Sequence, residues 1–174
     1  MYSKDQILEI FNEKEVLLSG HFRLTSGRHA AYYMQCARLL QYPDVAGPLC
    51  EQLASNFANQ GITVVVGPAI GAIPLSYEVA RVLGVKSIFA ERENGEMTLR
   101  RGFEVSPQDK VLVVEDVITT GGSVKEVISL MQAKGAEVVG VGVLVDRSNG
   151  KIDFGVPLAS LVSIEIESFE PDQC

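Results

Sequence analysis

The sequence predicts an α/β protein built on a mostly parallel central sheet flanked by helices. Three observations predict it. Apolar, strongly β-branched runs recur at 62–66, 110–114 and 138–145, the pattern of strands covered on both faces. Helix-period stripes alternate with such runs, with Val45, Leu49, Leu53 and Phe57 ahead of the first and Val124, Val127, Ile128 and Met131 between the last two. Glycines close these segments at Gly61, Gly84 and Gly135.

Taken in order, Ser3 with Gln6 makes a capping-box pattern, and Ile7, Leu8 and Phe11 give the first helix an apolar face. Residues 20–24 and 31–35 read as short strands separated by a turn at Ser26 and Gly27. A helix starts at about Asp44 and ends at Gly61. The strand 62–66 runs into Gly67, Pro68, Ala69, Ile70 and Gly71, then a helix that reaches Leu83 with Gly84 as its C-cap. A strand at 87–91 precedes a polar excursion at 92–103, expected as a hairpin with Gly95 at its tip. The strand 110–114, its helix and the strand 138–145 follow. The order β-α-β-α-β-β-α-β calls for a parallel sheet between helices. The opening hairpin and the tail 158–169 are expected to pack as extra β elements, a cap over the crevice.

The chain of 174 residues fits one domain over 1–174, with about five or six core strands. Apolar residues at 47% and charged residues at 21% are globular values, and no segment has the apolar length of a membrane span. The N-terminus lacks a basic-then-apolar signal pattern, so a cytoplasmic protein is expected. Cys36, Cys50 and Cys174 form no Cys-x-x-Cys, which argues against a disulfide framework and a zinc site. Cys50, inside a helical pattern, reads as a small core residue. A formal charge of −7 speaks against general nucleic-acid binding.

The stretch from Val111 to Val124 carries the chemistry. A buried strand runs into Glu115 and Asp116, at the edge where open α/β sheets keep their ligands. Thr119, Thr120, Gly121, Gly122 and Ser123 then supply hydroxyls and bare backbone just ahead of a helix, whose positive end suits a phosphate. Carboxylates beside a phosphate cradle suit a sugar phosphate. No Gly-Lys-Ser/Thr or Gly-x-Gly-x-x-Gly is present, so this is neither a Walker A loop nor a dinucleotide fingerprint.

Residues 115–123, Glu-Asp-Val-Ile-Thr-Thr-Gly-Gly-Ser, resemble the phosphoribosyl-pyrophosphate (PRPP) signature of type I phosphoribosyltransferases. The resemblance implies a type I phosphoribosyltransferase-like fold in which Glu115 and Asp116 hold the ribose hydroxyls. Val117, Ile118 and the loop to Ser123 would wrap the 5′-phosphate. Gly67 to Gly71 is a second glycine-rich turn before a helix, similar to that family's pyrophosphate loop. Gly67, Ile70 and Gly71 are thereby implied in PRPP binding, although Ile70 and Gly71 stand where orotate-type members often carry a lysine.

The pattern Phe22-x-Leu24-x-Ser26-Gly27, with Tyr32 and Tyr33 beyond, resembles the N-terminal hood of the orotate phosphoribosyltransferase branch. The hood would comprise about 1–40 and 152–170. It implies Ser26, Gly27, Tyr33 and Met34 near the pyrimidine, while Thr25 replaces a lysine of many relatives. His21 and His29 lack a third ligand, so no metal site is expected there and His29 receives no catalytic role. Arg147, after Asp146 at the end of its strand, has the fork that grips a carboxylate, and the resemblance places it with Thr119 on orotate. Its bland alternative is an ion pair with Asp146. In the excursion, Arg92, Arg100 and Arg101 are the available cations. Arg92 is implied on PRPP and Arg100 and Arg101 in catalysis, with a solvated charge pair as their alternative.

The implied reaction joins orotate and PRPP to give orotidine 5′-monophosphate and pyrophosphate, with Mg²⁺ held mainly by PRPP and reached by Asp116 through water. A homodimer with shared active sites is implied, and neither nucleic acid nor membrane is an expected partner. The alternatives are a phosphoribosyltransferase for another nucleobase and a PRPP-sensing regulator without catalysis.

Overall fold

Ser3 caps the first helix as its spacing to Gln6 predicts. The Gln6 amide donates to the Ser3 hydroxyl at 3.2 Å and the Ser3 amide to the Gln6 side chain at 2.8 Å. The resulting helix α1 (Lys4–Glu13) buries Ile7 and Phe11, while Leu8 faces outward at 39% exposed and Ile10 packs in its place. This computed structural model describes residues 1–24 and 26–174, so Thr25 lies outside the described residues.

Strands β1 (Leu17–Arg23) and β2 (His29–Met34) form an antiparallel hairpin, longer at its start than the sequence suggests. Two helices follow, α2 (Ala37–Leu40) and α3 (Pro43–Ser55). Then come β3 (Val64–Pro68), α4 (Ile73–Leu83), β4 (Lys86–Glu93) and β5 (Glu96–Thr98). Gly84 ends α4 with φ +70°, a left-handed C-cap. Asn94 and Gly95, at φ 52° and 82°, turn β4 into β5 as the two-residue hairpin expected from the polar excursion. The remaining elements are β6 (Lys110–Ile118), α5 (Gly122–Ala133), β7 (Glu137–Asp146), β8 (Leu158–Ser163) and β9 (Ser168–Phe169).

The main sheet runs β5-β4-β3-β6-β7-β8, parallel except for β5. Alternating side chains build two cores. Val65, Leu112 and Val114 join α1, α3 and α4 on one face, and Val64, Val66, Val111 and Val113 join α5 on the other. Val124, Val127, Ile128 and Met131 are the buried stripe of α5, as read from the sequence.

Two corrections matter for the site. The tail does not stay together: β8 extends the main sheet beside β7, and only β9 joins the small β1-β2-β9 hood sheet. The strand before the acid pair also does not stop at Val114. Its ladder with β7 continues to Ile118 opposite Asp146, whereas its pairing with β3 ends at Val113. Glu115 and Asp116 are therefore held by a strand on one side and open on the other. Chain crossovers leave β3 toward β4 and β6 toward β7, in opposite directions, so a crevice opens between the carboxyl ends of β3 and β6. Among the described residues, no helix is long and apolar enough to cross a membrane.

Candidate active site

Both glycine-rich turns meet in this crevice. The loop after β3 folds back over the acid pair, because a Cβ on Gly71 would stand 3.1 Å from Asp116 Oδ2. Gly67 has still less room, since a Cβ there would lie 2.8 Å from that of Ala72 and 3.2 Å from the Val114 carbonyl oxygen. Glycine at both positions is thus a packing requirement. Ile70 stands 83% exposed at the tip of the loop.

The second loop leads from Ile118 into α5. Gly121 sits at φ +76°, and a Cβ on it would strike the Phe154 ring at 2.9 Å, so the tail props this turn from behind. Residues 117–124 line a polar cavity of about 320 Å³ with Glu115, Arg92 and Glu126. First-turn amides of a helix have no intrahelical partner, which makes this a seat for an anion.

Glu115 and Asp116 are partly buried neighbours with opposite demands. The Asp116 amide donates to Glu115 Oε1 at 3.0 Å and the Val117 amide to Asp116 Oδ1 at 2.8 Å. Burial first, and then the adjoining Asp116 carboxyl, push Glu115 far above the usual carboxylate range. A cation entering the site would favour the ionised pair, because nearby positive charge offsets the cost of burying the carboxylates. Cys36, just beyond β2, is a residue that sequence reasoning missed. Burial raises its thiol, and the Asp116 and Glu115 charges raise it further, so it closes the back of the site as an unreactive neighbour.

Arg147 follows β7 directly, and its amide donates to the Ile118 carbonyl at 2.9 Å, fixing it beside the second loop. Among the described residues it makes no ion pair with Asp146, whose Oδ1 accepts the Ser148 amide at 2.7 Å. Arg147 Nε is buried and unpartnered among the described residues, and burial pulls the guanidinium below its ordinary pKa. The Ser148 hydroxyl, not singled out by the sequence, is likewise buried without a partner. A planar donor left unsatisfied just past the carboxyl end of β7 suits a carboxylate.

The other expected cations are not free. Arg92 makes a bidentate pair with Glu126 at 2.6 and 2.8 Å, a partner 34 residues away that no local pattern reveals. Arg100 and Arg101 both pair with Glu91, at 3.4 and 2.7 Å, and the Arg101 hydrogen bond holds the Glu91 carboxyl below its ordinary range. In the hood, Ser26 is exposed at the turn, where Gly27 has φ +84° and its amide donates to the Leu24 carbonyl at 2.9 Å. Tyr33 is 41% exposed and packs against Phe22, but the Met34 side chain is buried in the main core. Met34 can therefore offer a ligand only its backbone.

A further correction concerns His21 and His29, which sequence spacing left without a third donor. The fold brings Cys174 to them, and the three donor atoms lie within 4.8 Å of one another.

Known proteins resemble this chain in sequence and fold. Residues 38–165 match the phosphoribosyl transferase domain model. Over 172 residues the chain is 57% identical to the orotate phosphoribosyltransferase of Desulforamulus reducens, covering 99% of this chain and 90% of that protein. The orotate phosphoribosyltransferase of Pelotomaculum thermopropionicum is 58% identical with the same coverage. The crystal structure of orotate phosphoribosyltransferase from Aeropyrum pernix superposes with a TM-score of 0.79 at 25% identity, covering 91% of this chain and 93% of that one. The chain belongs to the phosphoribosyltransferase family, on its orotate phosphoribosyltransferase branch.

Proposed function

We propose that this protein transfers the 5-phosphoribosyl group of PRPP to orotate, giving orotidine 5′-monophosphate and pyrophosphate in pyrimidine biosynthesis, with the crevice between β3 and β6 as its site. The carrying observation is the acid pair between two glycine-dependent turns, with an unpartnered arginine at the same edge. Glu115 and Asp116 take the ribose hydroxyls and face the positive charge that builds on the ring as its anomeric bond breaks. Residues 119–123 seat the 5′-phosphate, the loop 67–71 offers backbone to the pyrophosphate, and Arg147 with Thr119 reads the orotate carboxylate. No covalent nucleophile is needed, because the orotate ring nitrogen attacks as an anion. A cytoplasmic setting is part of this reading, as the sequence implies.

The donor set fits Mg²⁺. It offers hard carboxylate oxygens in a partly buried acid pair whose charge a divalent cation would offset. Asp116 would reach the ion through water, with PRPP supplying most ligands, and bound Mg²⁺ would supply charge neutralisation for the leaving pyrophosphate.

Purified protein with PRPP, Mg²⁺ and each nucleobase in turn tests the assignment. Pyrophosphate release with orotate should exceed that with uracil or adenine by roughly a hundredfold, the worth of one buried carboxylate contact. Faster release with adenine, or none with any base, would contradict it.

The hairpin arginines belong to the second half of the proposal, a homodimer in which residues 92–103 complete the neighbouring site. In their own chain Arg100 and Arg101 sit on Glu91, away from the residues that line the cavity. One subunit with Asp116→Asn and another with Arg100→Ala and Arg101→Ala should each turn over far more slowly than the parent. After subunit exchange, activity should return in one site per hybrid dimer. Demonstrated exchange without activity means that the hairpin does not work across an interface.

A further inference from the structure

Outside the crevice, one cluster of metal-ligating side chains among the described residues has no part in the proposed chemistry. His21 Nε2 lies 2.9 Å from His29 Nδ1 and 3.1 Å from Cys174 Sγ. A ring nitrogen carries either one proton or one lone pair, so it cannot make good hydrogen bonds to both neighbours. A cation at the centre resolves the conflict, because each of the three atoms then presents a lone pair to it.

The spacing fits a small tetrahedral ion. Metal–nitrogen bonds of about 2.0–2.1 Å and metal–sulfur bonds of about 2.3 Å put donor atoms roughly 3.3–3.6 Å apart, a few tenths of an ångström beyond the two contacts His21 makes, with all three atoms within 4.8 Å of one another. The local fold presents these side chains. The β1–β2 register shifts between Ser19 and Phe22, so His21 lies in a bulge that re-aims it from the ladder. His29 opens β2 opposite Phe169 of β9, and the turn after β9, with the Gln173 amide donating to the Glu170 carbonyl at 2.9 Å, carries Cys174 back over the hairpin.

We propose that His21, His29 and Cys174 bind one Zn²⁺, with water or another donor completing the tetrahedron. Imidazole with thiolate is a borderline-soft donor set that suits Zn²⁺ over Mg²⁺, which prefers oxygen. On binding, the metal–sulfur bond forms as the thiol proton leaves to solvent. The ion clamps the hood, joining residues 153 positions apart in sequence and so closing a loop spanning nearly the whole chain. The inference stands apart from the catalytic reading, and its test needs no activity.

Chelator-treated protein is titrated with Co²⁺ and then with Zn²⁺. One Co²⁺ per chain should bind with the thiolate charge-transfer band and the visible bands of a tetrahedral site, and Zn²⁺ should displace it. Saturating Zn²⁺ should raise the thermal midpoint. Cys174→Ser, at an exposed position outside every helix and strand, should lose the charge-transfer band while circular dichroism stays unchanged. His21→Ala and His29→Ala should each weaken binding at least ~10-fold. Absence of stoichiometric binding by the parent protein, or a band and affinity that survive in Cys174→Ser, overturns the site. The buried Cys36 and Cys50 would then be the source of any band that remained.

Discussion

Glu115→Gln combined with Asp116→Asn should lower turnover by about 2–4 kcal/mol of barrier, some thirty- to a thousandfold, while the folded protein becomes more stable. The first effect follows from removing negative charge beside a ribose that turns cationic. The second follows from the acid pair itself. Burial and the Asp116 charge push Glu115 from 4.5 to about 9. The folded protein then binds a proton that the unfolded chain releases, so this group favours folding below pH 4.5 and the benefit is lost as pH rises toward 9. Glu115→Gln removes that loss. Its thermal midpoint should match the parent near pH 5 and exceed it at pH 8 by ~4–8 °C, the effect of about 2 kcal/mol in a domain of this size. Parent-level turnover in the double variant, or a pH-independent stability difference, would count against the pair as the strained catalytic centre.

Arg147→Ala should raise the KM for orotate ~30–150-fold and leave that for PRPP within about threefold, as expected from losing roughly 2–3 kcal/mol of bidentate contact. The free protein should lose little stability, since the guanidinium Nε has no partner to lose and its burial is itself a cost. Arg147→Lys should restore only part of the affinity, because a point charge lacks the planar fork. Steady-state kinetics with each substrate varied in turn would decide. Equal effects on both KM values would show that Arg147 does not read the base.

What the sequence made legible was local. The Ser3 and Gln6 cap, the α5 stripe, the Gly84 and Gly95 turns and the acid-to-glycine run around Glu115 all act over a few residues, and all stand where their spacing puts them. What it hid was pairing at long range. Whether the tail segment around Leu158 edged the main sheet or the hood depended on a β7 neighbour that its own short apolar pattern cannot specify. The continuation of β6 through Glu115 and Asp116 depended on the β7 ladder, where two carboxylates look like a strand's end. Arg92 looked free because Glu126 is 34 residues off, and the two histidines looked incomplete because Cys174 is 153 residues from His21. The alternation of β2 turns the Met34 side chain into the core, so a ligand beside it would meet its backbone.

Diffraction from crystals soaked with PRPP and Mg²⁺, with orotate left out, tests the central claim most directly. The account predicts the ribose hydroxyls within hydrogen-bond reach of the Glu115 and Asp116 carboxylates, and the 5′-phosphate on the amides of residues 119–123 at the start of α5. A sugar phosphate bound elsewhere, or a phosphate on that turn with both carboxylates left unengaged, would contradict it.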